Sequence, residues 1–197
     1  MIPILILAAG QSTRMLGRDK LLEQIDGIPL LRSRALAAVA VSAQVFVTLP
    51  DLADARAHAR ARVVADLPVS LIPVPDAASG MAASLRTGVA ALPECDHFMV
   101  FLADLPEITP TDLVTLIENI DPDHQIFRGT SAKGTPGHPI IFHSSLRPFF
   151  ANLTGDNGGK DIIATHPTKL IALPEDHATA DLDTPEDWTD WHNRTNR

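Results

Sequence analysis

The chain has no tyrosine, and aromatic residues make up only 5% of its 197 positions. That scarcity argues against an aromatic platform on which single-stranded nucleic acid would stack. Its one cysteine, Cys95, permits no internal disulfide, which suits a reducing compartment. Cys95 lies between Glu94 and Asp96. Neighbouring carboxylates disfavour a thiolate, so it is a poor nucleophile candidate. No apolar run reaches the ~18 residues of a membrane span. The N-terminus carries neither the positive lead nor the cleavage site of a signal peptide. Positive charge is short as well: 16 Lys and Arg face 24 Asp and Glu, for a net charge of -8. Such a surface repels phosphate backbones and excludes general nucleic-acid binding, yet leaves room for a local basic pocket around one small anion. The expectation is a cytoplasmic protein with neither a nucleic-acid nor a membrane partner.

Several catalytic signatures are missing too. Gly-Lys-Ser/Thr is absent, so there is no Walker loop, and the glycines near the N-terminus do not fit G-x-G-x-x-G. No G-x-S-x-G marks a nucleophile elbow. The eight histidines show no zinc-ligand spacing.

Hydrophobic residues make up 45% of the chain and charged residues 20%, enough to bury a full core. No linker divides residues 1–197, and one domain is expected. Short apolar runs alternate with Ala-rich helical stretches. Residues 2–7 read as a buried strand, 45–49 and 71–74 as further strands, and 97–103 as the clearest central one. A short strand over 21–25 precedes the Asp26-Gly27 turn. Helices are expected over 29–41, 51–62, 80–92 and 110–119, the last opened by Thr109-Pro110-Thr111-Asp112. The second half reads as strands at 125–128, 139–142 and 169–173, with a short helix over 144–150. A final helix begins near Asp183, with residues 193–197 frayed. This alternation predicts an α/β fold, a mostly parallel sheet with helices on both faces. Ligands of such sheets bind beyond the carboxyl ends of the strands, so the loops after Leu7 and Ala103 should share one crevice.

The first of those loops runs from Leu7 through Ala8, Ala9 and Gly10 to Arg14, Gly17, Arg18 and Lys20. Small residues let backbone N–H groups approach an anion, Arg14 offers a fork and Lys20 a point charge. The loop reads as a polyphosphate cradle or as an ordinary basic surface loop; residue types alone leave both open. Asp104, just past the central strand, is placed to hold Mg²⁺ on a substrate phosphate, or is merely a cap. Asp181-Leu182-Asp183 supplies a second carboxylate, although Asp183 equally suits a helix N-cap. Gly80 and Ser84 open a helix whose free amides could read a base or ribose, though an Ala/Leu packing helix looks the same in sequence. His138 beside a strand is either a substrate contact or a structural histidine, the usual case for a lone one. The loop 155–161, with Lys160, either closes over an anionic substrate or is a plain turn. Trp188 and Trp191, three apart on the final helix, pack either against the chain's own core, the default, or on a partner.

Together these segments resemble the MobA-like nucleotidyltransferases. The resemblance runs from Leu7-Ala8-Ala9-Gly10, Arg14-Met15, Gly17 and Lys20 through residues 80–85, Asp104 with Pro106, residues 137–142 and Gly155-Asp156-x-Gly158. It ends at Asp181-Leu182-Asp183-Thr184-Pro185-Glu186-Asp187, so it covers essentially the whole chain. It is closest to the molybdenum cofactor cytidylyltransferase (MocA-type) branch, since the guanylyltransferase branch more often has Gly where Ala9 stands. The chain departs from the usual pattern in carrying Leu16 between Met15 and Gly17, and in Ala103, Leu105 and Lys160.

The resemblance implies a Rossmann-like nucleotidyltransferase fold and transfer of NMP, CMP from CTP, to a phosphorylated acceptor. It implies that Leu7, Ala8, Ala9, Gly10, Gly80, Ser84 and Leu85 bind the nucleotide, and that Arg14 and Lys20 hold its phosphates. Asp104 and Asp183 would hold Mg²⁺, with Arg14, Lys20 and Asp104 as the catalytic set. His138, Gly155, Asp156, Gly158 and Lys160 would face the acceptor, a phosphorylated pterin, with a molybdoenzyme as eventual partner. Three other readings remain at this point. They are a guanylyltransferase, a sugar- or polyol-phosphate nucleotidyltransferase, and a non-catalytic nucleotide- or pterin-binding maturation factor.

Overall fold

The computed structural model describes residues 1–155 and 159–195. In chain order the strands are β1 (Ile4–Leu7), β2 (Gln24–Ile25), β3 (Ile28–Pro29), β4 (Val45–Pro50), β5 (Val69–Val74), β6 (His97–Leu102), β7 (Ile126–Thr130), β8 (Pro136–His143) and β9 (Thr168–Ala172). The helices are α1 (Leu30–Val39), α2 (Ala55–Val63), α3 (Met81–Ala91), α4 (Pro110–Glu118), α5 (Arg147–Phe150), α6 (Lys160–Thr165) and α7 (Pro185–Thr195). Seven strands form one sheet in the order β5-β4-β1-β6-β8-β7-β9, while β2 and β3 make a separate small hairpin. β1 pairs in parallel with both β4 and β6. β8 runs antiparallel to β6 and β7, and β7 pairs in parallel with β9. The expected mostly parallel α/β sheet is therefore present.

Period-2 alternation sorts the central strands between two cores. Ile4 and Ile6, Met99 and Phe101, and Ile141 face one cluster, which includes Leu30 and Leu31 of α1, Leu113 and Leu116 of α4, and Trp188 and Trp191 of α7. Leu5, Phe98, Val100, Ile140 and Phe142 face the other, with Leu85 and Val89 of α3, Phe150 and Ile162. Covering both faces explains why these strands read as nearly unbroken apolar runs.

Capping sets several helix boundaries. Residues 51–54 were expected to be helical, but the Asp54 carboxylate accepts the Arg56 amide at 2.9 Å, so α2 starts at Ala55. Thr109 and Asp112 form the expected capping box, and Pro110 occupies the first turn. At the C-terminus, residues 193–195 continue α7 rather than fray. That helix is tied down by both buried tryptophans, with Trp191 donating to Glu107 at 2.9 Å. The tryptophans thus pack at home. Cys95 is half-buried; burial pushes its thiol up, and Asp96 adds to the effect. Among the described residues no helix is long and apolar enough to cross a membrane.

Candidate functional site

The loops after β1 and β6 do open into one cleft, of about 410 Å³. Leu7, Ala8, Ala9, Gly10, Arg14, Lys20, Gly80, Ser84, Asp104 and Asp183 all line it, together with Asp181. The β1 loop forms one wall and the start of α3 the other. Gly80 caps α3 with φ 111° and ψ −177°, a conformation that glycine adopts without strain. It turns the chain so that Ser84, buried in the first turns of α3, reaches the cleft.

At the other end sits a cluster of charge. Lys20 Nζ lies 2.6 Å from Asp104 Oδ2 and 2.5 Å from Asp183 Oδ1. Arg14, largely exposed, reaches Asp183 Oδ2 at 2.7 Å. Burial works against the Lys20 charge, but Asp104 and Asp183 outweigh it, and the ammonium titrates above its ordinary value. Burial and the neighbouring Asp104 push the Asp181 carboxyl up.

Of the two readings of Asp183, geometry removes the helix cap. The cap of α7 is Thr184: its hydroxyl accepts the Asp187 amide at 3.1 Å, and Asp187 accepts the Thr184 and Asp183 amides at 2.8 and 3.0 Å. The side chain of Asp183 is thereby left to face Lys20 and Arg14. Asp104 keeps one oxygen, Oδ1, buried with no hydrogen-bond partner. The cleft thus lines two cations with three carboxylates, a balance unfavourable to a bare triphosphate. A divalent cation arriving with the phosphates would correct it. Among the described residues no group of three or more His, Cys, Asp or Glu makes a metal cage alone. A carboxylate pair with an orphaned oxygen, completed by phosphate oxygens and water, is the donor set that Mg²⁺ takes.

Some expected site residues lie elsewhere. Leu85 points into the core beneath α3, among Val89, Phe150 and Ile162, because its helical position faces the sheet. His138 lies on β8, and its Nδ1 is sealed from solvent without a partner. Burial, and then the Arg128 charge, pull its pKa down to about 4. It does not line the cleft, although the Asp104 charge acts on its ring. The Gly155 carbonyl accepts the Ala82 amide at 3.2 Å, which holds Gly155 at the start of α3. Lys160 is exposed at the start of α6. Asp156 and Gly158 fall outside the described residues.

The state of His138 makes stability pH-dependent. Its pKa is about 4 when folded, against 6.5 ordinarily. The neutral ring therefore contributes stability above pH 6.5 that is lost as pH falls toward 4, by up to about 3 kcal/mol. Urea unfolding from pH 7 to pH 4.5 should show a steeper acid-side loss in the wild type than in His138→Gln. Parallel pH profiles would contradict this.

Sequence reasoning missed the support beneath the first loop. Thr48 on β4 accepts the Ala8 amide at 3.1 Å, and Arg60 on α2 lies wholly buried under the loop. In sequence, an arginine on an Ala/Arg helix resembles a solvated face. The one hint is its i,i+4 spacing from Arg56.

Within the loop, Leu16 is 85% exposed and sits at φ 51°, ψ 43°, a left-handed conformation that costs a branched side chain about 1 kcal/mol. Leu16→Gly removes that strain and sacrifices no packing. Its Tm should rise by about 1–3 °C; a fall would show that the side chain has a partner.

A cleft beyond the carboxyl ends of parallel strands, walled by a small-residue loop and ending in a Lys–Asp–Asp cluster, defines a nucleotide-phosphate-handling α/β protein. The MobA-like NTP transferase domain model matches residues 4–170, and the chain belongs to that family. Nicotine blue oxidoreductase from Paenarthrobacter nicotinovorans is 29% identical in an alignment of 119 residues that covers 56% of this chain and 58% of that protein's length. The structure of Rv0371c from Mycobacterium tuberculosis H37Rv superposes with a TM-score of 0.84 at 26% identity, covering 98% of this chain and 97% of that one. The Rv0371c complex with manganese matches at 0.79 and 26%, covering 96% of each chain. A CMP:2-keto-3-deoxy-manno-octonic acid synthetase complexed with CTP shares the fold at TM-score 0.76 and 14% identity, covering 99% of this chain and 98% of that one.

Proposed function

We propose that residues 1–197 act as a single transferase domain that moves CMP from CTP to a phosphorylated pterin of the molybdopterin class. Mg²⁺ is required and pyrophosphate is released. The observation that carries this reading is the convergence, in one cleft, of the loop 8–14 and Lys20 with the Asp104–Asp183 pair, opposite Gly80 and Ser84. An oxygen of the acceptor phosphate bonds to the α-phosphorus as the bond to the pyrophosphate oxygen breaks. The acceptor is already anionic, so no general base is needed, and the site accordingly offers cations and backbone donors rather than a nucleophile triad.

Asp104 and Asp183 would hold Mg²⁺. When bound, the ion would neutralise the charge on the phosphates. Lys20 and Arg14 stabilise the negative charge that develops on the departing pyrophosphate, and the Ala8–Gly10 backbone lines the nucleotide. Ala9, where the guanylyltransferase branch more often carries glycine, supports CTP over GTP. Lys160 and the Gly155 loop face the acceptor, and His138 supports the acceptor side. The product would pass to a molybdoenzyme. A lone half-buried cysteine fits work in the reducing cytoplasm.

The test is pyrophosphate release with CTP, GTP or ATP, against molybdopterin and a panel of sugar and polyol phosphates. Release with CTP and molybdopterin supports the reading. Preference for GTP, or for a sugar phosphate, would replace it with a sister transferase. Nucleotide binding without release in every combination would make the protein a maturation factor.

A further inference from the structure

One of the most heavily bonded side chains among the described residues is not in the cleft but under it. Arg60 of α2 is fully buried, and its five N–H donors meet five acceptors. Nε and Nη2 fork onto Asp19 at 2.8 and 2.9 Å. Nη2 also reaches Ser12 Oγ at 3.3 Å. Nη1 takes the carbonyls of Ala8 and Gly10 at 2.6 and 2.7 Å. One turn earlier on the same helix face, Arg56 holds the Gln11 carbonyl.

We infer that Arg60 is a positioning residue that aims the amides of the first loop at the nucleotide phosphates. A trans peptide is planar, with its carbonyl and the following N–H on opposite sides. Drawing the Ala8 and Gly10 carbonyls back toward α2 therefore turns the Ala9 and Gln11 N–H groups toward the cleft that these residues line. Neither amide donates to any described residue. An alternation of carbonyls held behind and amides free in front makes an anion nest, and here a buried guanidinium imposes it. Lysine cannot replace the fork: its ammonium has three donors, against five acceptors. Asp19 completes the device by balancing the buried charge and by accepting the Leu21 amide at 3.1 Å, just after Lys20.

The inference rests on the nucleotide-binding reading, and its test separates the two. CTP and CMP binding with Mg²⁺ is measured by calorimetry for the wild type, Arg60→Met/Asp19→Asn and Arg60→Lys. The double variant leaves no unpaired buried charge. Losing two aimed amides should raise its CTP Kd by about thirtyfold. The CMP Kd, which lacks the β- and γ-phosphates, should move less than about threefold by the same reasoning. Arg60→Lys should fall between, and it decides by the same CTP/CMP ratio if the double variant does not fold. Unchanged CTP binding in a folded variant, or equal losses for CTP and CMP, would overturn the positioning role. A wild type that binds no nucleotide at all would instead overturn the functional reading beneath it.

Discussion

Asp104→Ala should lower Mg²⁺-dependent nucleotidyl transfer by about a thousandfold or more while leaving the fold intact. Asp104 contributes both an oxygen on Lys20 and a second oxygen without a partner. Its loss removes half of the proposed metal-holding pair, and the charge that draws Lys20 into place. The fold should survive because Lys20 keeps Asp183 at 2.5 Å, so no buried cation is left unpaired. The backbone of the Asp104 turn also keeps its own support: the Asp104 carbonyl accepts the Leu182 amide at 3.1 Å. Buried Arg34 holds the Leu105 and Ile108 carbonyls at 2.9 and 2.5 Å. Steady-state pyrophosphate release, read beside a melting curve, checks both halves of the prediction. Near-wild-type turnover in the folded variant would remove Asp104 from the metal assignment.

Gly137→Ala should be the most damaging small substitution for stability, costing about 4 kcal/mol or more. A Cβ at Gly137 would sit 1.9 Å from the Ala178 carbonyl oxygen and 2.6 Å from its carbon. Both are backbone atoms, so no rotamer change relieves the clash. The same carbonyl accepts the His138 amide at 2.9 Å, and the Gly137 carbonyl accepts Arg128 Nε at 3.0 Å. A shift of either segment therefore breaks the seam that carries the chain toward Asp181 and Asp183. Gly10→Ala is the control: its φ is not positive and nothing lies within 4 Å of the added Cβ. Its stability should change by less than about 1 kcal/mol. Chemical denaturation of both variants compares them; equal midpoints would contradict the packing account.

Much of this was legible in the sequence, and the parts that were not share a physical reason. The buried strands read correctly because covering both faces forces apolar runs, as in Phe98 to Phe101. The cleft-lining set was legible because small residues, cations and strand-end carboxylates have few other reasons to recur in that order. Leu85 was misplaced because a motif marks a segment, whereas helical phase decides which residue of it faces the cleft and which the core. Asp183 stayed ambiguous because a cap and a metal ligand have the same sequence signature. The bond from the Asp187 amide to the Thr184 hydroxyl removes the cap role, and the metal role stays a proposal. Arg60 was invisible because two of its acceptors are backbone carbonyls some fifty residues away, which leave no trace in residue identity, and the others, on Ser12 and Asp19, lie more than forty residues away along the chain.

The central claim is that the cleft binds a nucleoside triphosphate together with a divalent cation. The most direct measurement is calorimetry of CTP, GTP and ATP, each with and without Mg²⁺. The two-cation, three-carboxylate balance of the cleft leads us to expect CTP to bind tightly with Mg²⁺ and poorly without it. Binding of none of the three nucleotides, with or without the metal, would contradict the account.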